Sequence, residues 1–484
     1  MNLAEYASYD ALGLAGLVAR KEVTPKELAL AAAAAKAKAD GAVNAVVELY
    51  PDRIEGLDAA SLGNGPFRGV PFLIKDVFGH EQGRRIEFGS RLCQGMTVEA
   101  GTCFVDLLKA AGVNILGRSA APEYSMSATT ESVLHGNTSN PWKQGYSAGG
   151  STGGGMAAVI AGIVPVAHGS DIGGSIRIPA SWCGGVGLKP SRMRVSIAPV
   201  VDEGGWGYSM NFVQTKTVRD AAAMLDCVSI PQPGDPFIIP KPDEPYATLA
   251  TKASGKLKVG IVLDKLLGVD VDPEVAQAVR AAGTALADMG HTVEMAKVEL
   301  DGEAMVRATT DIFFFGFDSR LDAYARRSGH KIGPDTLEPV ILSVYEAARE
   351  ITAERFIAAN AAANVARRRL GQFFTKYDIW LSPTTARVSE PWGRYHLSKP
   401  GVGWHNLIAE LFNAPCQYTI PHNVMGTPAM SLPLAMHSTG LPIGIQLGSR
   451  PATEHLILQL ATRLEADLPW NGRTPALSIP SNTT

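Results

Sequence analysis

Apolar residues recur along this chain in two rhythms, a helical one and short uninterrupted runs, and the two alternate from one end to the other. "TPKELALAAAAAKAKAD" opens with Thr24 at the N-cap position, Pro25 at the first helical position and Glu27 closing a capping box, which predicts a helix beginning there. "VNAVVELY" follows as a strand. "GVPFLIKDV" is an apolar run ending in Lys75, the mark of a strand buried on both faces. Helix "CFVDLLKAAG" then gives way to strand "VNILGR", and helix "GGMAAVIAG" to strand "IVPVAHG". Later come strand "KLKVGIVL", helix "DPEVAQAVRAAGTALADMG" and strand "HTVEMAKVEL". Strands "YDIWLSPTT", "AMSLPLAM" and "PIGIQLG" precede a last helix, "TEHLILQLATRLEAD". Such alternation predicts an α/β layered sheet.

The proline-rich "SIPQPGDPFIIPKPDEP" interrupts this rhythm, yet the rhythm is the same on either side, so it reads as a long surface connection within one domain. The 484 residues are 46% hydrophobic and 19% charged, which fits a folded globular chain and excludes a disordered one. The 44 basic and 47 acidic residues nearly cancel, to −3, without a basic block, and point to neither nucleic acid nor an anionic membrane. No signal peptide or membrane span is read, and a cytoplasmic location is expected. Five scattered cysteines with no C-x-x-C spacing argue against a disulfide framework and a zinc cage.

Two serines stand directly after glycine pairs. Ser151, in Gly149-Gly150-Ser151-Thr152-Gly153, formally fits the G-x-S-x-G nucleophile elbow. That elbow needs a strand running into the serine, and the polar "NTSNPWKQGYSA" before it reads as no strand, so taken alone Ser151 reads as part of a surface loop. Ser175 follows the strand "IVPVAHG" through "SDIGGS", where Gly173 and Gly174 allow consecutive N–H groups to converge beside a hydroxyl, the arrangement acyl transfer requires. A base is still needed. His168, in an apolar strand, reads as a satisfied core residue. Lys75, at the end of "VPFLI", is the other candidate: bringing its pKa from about 10.4 to around 8 takes roughly 3 kcal/mol, within what burial supplies. The bland alternative is a solvated lysine paired with a carboxylate such as Asp76.

In combination and in this order, "GVPFLIKDV", "GGSTGG" and "GSDIGGSIRIPASWCGGVGLKPS" resemble the amidase signature family. "ILGRSAAPEYSMSATTES", "NTSNPW", "WLSPTT" and "NVMGTPAMSLPLAMHSTGLPIGIQLG" extend the resemblance over nearly the whole chain. It implies a single α/β/α domain over 1–484, with a mixed central sheet covered by helices on both sides. The signature core would span about 65–200, a long surface connection about 229–250 and a variable pocket region about 300–410. It further implies a Ser-cisSer-Lys triad of Lys75, Ser151 following a cis peptide, and nucleophile Ser175. The N–H groups of Ile172, Gly173, Gly174 and Ser175 would form the oxyanion hole. Asp171 and Arg177 are expected to hold the turn in shape, and Thr152 to support Ser151 by hydrogen bonding. Thr152 and Gly155 stand where serines are common in the family, and neither is a triad position.

The resemblance implies hydrolysis of a small amide through an acyl-Ser175 intermediate, with Ser151 passing protons between Ser175 and neutral Lys75. Tyr124, Ser125 and Met126, together with Phe313, Phe314 and Phe315 from "DIFFFGFD", are candidates for an apolar or aryl/alkyl substrate pocket. A buried helix face is the competing reading of those phenylalanines. Within the family the wording "NPW", "PVAHGSD" and "SIRIPAS" is most similar to bacterial amidases of the cyclic nylon-dimer hydrolase type. Aryl-acylamidases, carbamate hydrolases and the A subunit of the tRNA-dependent amidotransferase are the alternatives inside it. Outside it stands a serine esterase with Ser151 as elbow nucleophile and His422 or His291 as base. A small-molecule amide is the implied partner, with no metal or organic cofactor, and a homodimer by family habit.

Overall fold

One mixed sheet of eleven strands carries the molecule. The structure, a computed structural model, describes residues 1–479; residues 480–484 of the domain expected from the sequence lie outside the described residues. In chain order the strands are β1 (Val46–Leu49), β2 (Pro71–Lys75), β3 (Asn114–Ser119), β4 (Val166–Asp171), β5 (Val186–Lys189) and β6 (Met210–Thr215). They continue as β7 (Lys258–Ile261), β8 (Thr292–Met295), β9 (Ile379–Pro383), β10 (Ala429–Met436) and β11 (Pro442–Ser449). Their order across the sheet is β1-β3-β2-β4-β6-β5-β10-β11-β9-β7-β8. Strands β3, β2 and β4 run parallel, as do β9, β7 and β8, while the strands between are antiparallel. The sheet passes straight across the proline-rich connection, since β6 precedes it and β7 follows it. That connection lies on the surface, with Phe237 and Ile238 exposed.

Helices cover both faces because the buried strands alternate apolar side chains to either side. Along β2, Phe72 and Ile74 enter one core cluster and Leu73 enters another. Helix α1 (Pro25–Val43) begins as its sequence dictates: Thr24 accepts the Glu27 N–H, and Glu27 reaches back to the Thr24 backbone. Helix α2 (Gly153–Ile160) packs its first turn directly on backbone. A Cβ on Gly154 would stand 2.5 Å from the Ala120 main chain, so only glycine permits that approach.

Two expectations are corrected. "HTVEMAKVEL" contributes only Thr292–Met295 as strand, at the sheet edge where few neighbours hold it. The segment before Ser151 does contain a strand, Lys143–Ser147, paired with Ser139–Asn140 in a separate two-stranded ribbon. Its polar side chains are explained by that position: the ribbon lies outside the main sheet, with Lys143 and Gln144 exposed.

Candidate active site

Strands β2 and β4 are parallel neighbours, with Phe72 opposite Val166 and Leu73 opposite Ala167. Their carboxyl ends therefore bring Lys75 beside the segment that leaves β4. Beyond β4 the chain turns sharply through Ile172–Ile176 into a short helix, α3 (Arg177–Cys183). Gly174 takes φ +137°, and a Cβ there would stand 2.5 Å from the Thr419 hydroxyl oxygen. This turn presents Ser175, which is 9% exposed.

The turn is held by a buried ion pair. Arg177 donates to both oxygens of Asp171, at 2.8 and 2.9 Å, and neither side chain is exposed. Burial alone would raise the Asp171 pKa, but the Arg177 charge and hydrogen bonds hold it at about 2. Asp171 in turn accepts the N–H groups of Gly174 at 2.8 Å and Ile176 at 3.3 Å. Helix α4 (Ile420–Met425) and the residue before it close the clamp from the far end of the chain. Thr419 donates its hydroxyl to the Gly173 carbonyl at 2.5 Å. Asn423 accepts from Arg177 at 2.6 Å and donates to the carbonyl and carboxylate of Asp171. Gln446 accepts a further Arg177 N–H at 2.8 Å.

Lys75 is fully buried, with Nζ 2.8 Å from Ser151 Oγ and 2.9 Å from Ser170 Oγ. Burial brings its pKa down to about 7, against the opposing pull of the Asp171 charge. An amine with that pKa is substantially neutral near neutral pH and can take a proton from a hydroxyl. Ser151 is itself fully buried, and the Gly150–Ser151 peptide is cis. The two serine segments meet where the Thr152 N–H donates to the Ser175 carbonyl at 3.2 Å. The Ser175 hydroxyl makes no hydrogen bond to any described residue, which leaves it available to an incoming group; catalytic hydrogen bonds commonly tighten only with substrate in place.

Several sequence expectations change in detail. The Thr152 hydroxyl donates to the Ser170 carbonyl on β4 at 3.3 Å, not to Ser151. The Gly174 N–H is directed to Asp171, so Ile172, Gly173 and Ser175 supply the N–H groups of the turn that meet no acceptor among the described residues. The bland reading of Lys75 is also overturned. Asp76 belongs to a different pair, with Arg118, and accepts the N–H groups of Glu87 and Gly89. Asp76, Glu87 and His135 bring their ligand atoms within 4.8 Å of one another, but the Arg118 guanidinium already donates to both carboxylates and would repel a metal cation.

The histidines lie elsewhere. His168 is buried against Asn211, 3.0 Å away, and accepts the Lys75 N–H, which is the satisfied core residue expected. His422 bonds Thr427, and His291 accepts the Leu257 N–H, so neither touches Ser151. Ser170 was missed by the sequence reading. The one available signal was its place at the end of the strand beside Lys75.

An apolar cavity opens over Ser175 and reaches Gly150, Ile172 and Gly173. Tyr124, Ser125 and Met126 line it, as do Phe313, Phe314 and also Phe317, which the sequence reading had not singled out. Phe315 does not: it closes helix α5 (Gly302–Phe314) from outside and stacks on Phe356 at 4.4 Å and against Trp206. Phe314 and Phe317 also belong to a core cluster, so the pocket-wall and buried-helix readings of this segment hold together.

A family model described as Amidase matches residues 27–458. The 6-aminohexanoate-cyclic-dimer hydrolase of Paenarthrobacter ureafaciens is 35% identical over 98% of this chain and 97% of its own length. An acylamidase of Rhodococcus erythropolis is 30% identical over 97% of this chain and 98% of its own. Among solved structures, a 6-aminohexanoate cyclic dimer hydrolase complexed with substrate superposes with a TM-score of 0.93, at 34% identity, covering 97% of this chain and 99% of that one. No helix among the described residues is long and apolar enough to cross a membrane. With the eleven-stranded mixed sheet and its helical layers, these likenesses settle the assignment: the chain belongs to the amidase signature family and is an enzyme that hydrolyses carbon–nitrogen amide bonds.

Proposed function

We propose that Ser175 is the nucleophile, Ser151 the proton shuttle and Lys75 the base in hydrolysis of a small amide with an apolar alkyl or aryl acyl group. The observation that carries this reading is the fully buried Lys75 Nζ, 2.8 Å from Ser151 Oγ beneath the turn that presents Ser175. Ser175 Oγ attacks the amide carbonyl, and its proton passes to Ser151 as the Ser151 proton passes to neutral Lys75. The negative charge on the carbonyl oxygen faces the N–H groups of Ile172, Gly173 and Ser175. Ser151 then delivers a proton to the nitrogen, the C–N bond breaks and the amine leaves. Water enters the same relay and frees the acid from Ser175.

The apolar cavity supports the acyl preference, and the likeness to a 6-aminohexanoate-cyclic-dimer hydrolase and an acylamidase puts that dimer and acyl amides first in a screen that also takes in anilides and carbamates. Five unpaired cysteines support a reducing, cytoplasmic setting. A homodimer remains part of the proposal by family habit. The test is labelling with a fluorophosphonate followed by peptide mass spectrometry. Label on Ser175 that fades in Lys75→Ala is the expected result. Label on Ser151, or on Ser175 undiminished without Lys75, overturns the relay.

A further inference from the structure

The polar side chains lining the cavity are almost all spent within the protein. Ser127 donates to the Tyr395 carbonyl at 2.6 Å, Thr309 to that of Met305 at 2.9 Å and Thr310 to that of Val306 at 2.8 Å. The Tyr124 hydroxyl contacts Cys93 Sγ. Beyond Ser175, two remain unspent among the described residues: the buried Ser125 hydroxyl and the Arg320 guanidinium. Arg320 is also the one charged residue lining the cavity among those described.

Arg320 is exposed on helix α6 (Phe317–Ser328), and no carboxylate among the described residues pairs with it. Of the acids on its own helix, Asp322 is engaged by the Tyr345 hydroxyl at 2.7 Å. The guanidinium lies 5.8 Å from the ring centroid of Phe317, which is itself cavity wall. An apolar chain end reaching this cation makes no bond to it, whereas a carboxylate offers two parallel hydrogen bonds that match the guanidinium fork.

We infer that the cavity takes an acyl chain with an apolar body and a carboxylate at its far end, received by Arg320. The substrate class is then the monoamide of an aliphatic dicarboxylic acid. This rests on the reading of Ser175 as acyl acceptor, and the acyl portion is assigned because it alone stays tethered through both half-reactions. One water is consumed, the C–N bond breaks, and the dicarboxylate and the amine are released.

The test uses 4-nitroanilides that share a polymethylene acyl chain, in a graded series of lengths, and end in carboxylate, isopropyl or trimethylammonium. Wild-type enzyme is expected to favour carboxylate over isopropyl in kcat/KM by about tenfold at its best length, through KM. Arg320→Gln is expected to abolish that ratio, and Arg320→Glu to turn the preference toward the cation. A wild type without carboxylate preference at any length, or a ratio that Arg320→Gln leaves intact, overturns the inference, while turnover of the isopropyl compound keeps the amidase reading standing. Hydrolysis of none of the compounds also overturns it, and a failure of fluorophosphonate to label Ser175 in the same preparation takes the reading of Ser175 down with it.

Discussion

Thr419 donates its hydroxyl hydrogen to the carbonyl of Gly173, 2.5 Å away, and so pins the turn whose N–H groups we propose to face the reacting carbonyl. Thr419→Val keeps the shape and removes only the donor. The turn is then free to shift, and a displaced oxyanion donor acts on the transition state more than on bound substrate. We expect kcat to fall about tenfold with KM changed less than about twofold. A raised KM with kcat unchanged, measured by steady-state kinetics, would assign Thr419 to substrate binding.

In the proposed relay, Lys75 sets the pH dependence. Its burial lowers the pKa to about 7, and the neutral amine is the form that accepts a proton. Activity should therefore rise with pH, kcat/KM climbing about tenfold per unit below that value and levelling above it. Lys75→Met should lose the limb and about 10³-fold in rate. A profile flat through neutrality in the wild type would contradict the assignment.

Arg177 and Asp171 form a pair with neither side chain exposed. Arg177→Met leaves a buried carboxylate without its counter-charge, which costs about 3–5 kcal/mol. Urea unfolding should show this as a lower midpoint. Asp171 also contributes acid sensitivity: its folded pKa of about 2 lies below the ordinary 3.8, so its stabilisation is complete above that ordinary value and is lost as pH falls toward the folded one. Asp171→Asn should remove this part of the acid-induced loss.

Phe313 lines the cavity and is only half-buried, so Phe313→Ala enlarges the pocket at modest cost in stability. The variant should shift the ratio of kcat/KM toward bulkier acyl groups by about tenfold, the worth of one or two methylenes in an apolar site. Phe315→Ala, outside the cavity, should leave the ratio where it is. Competition assays with paired anilides would separate the two.

Where sequence and structure agree, a local signal was sufficient. Thr24, Pro25 and Glu27 dictate a helix start from neighbours alone, and the five buried positions of β2 show as an unbroken apolar run. Lys75 was legible at the end of its apolar run, and Ser151 and Ser175 in the glycine-rich segment that holds them both. The clamp was not, because Thr419, Asn423 and Gln446 meet Arg177 only through the order of the sheet, which no periodicity encodes. The destination of the Thr152 hydroxyl and the exclusion of Phe315 were hidden for the same reason. Each depends on which way a side chain points at the end of an element, a choice made by packing.

Arg177 lies 269 positions before Gln446 and 246 before Asn423, its partners on the last strand and on helix α4. A chain emerging from the ribosome thus carries all three of Lys75, Ser151 and Ser175 long before it holds the residues that fix their turn. The clamp is complete only once the last strand has been made, so a chain cut before Thr419 is expected to carry both serines without the partners that hold Arg177 and its turn in place.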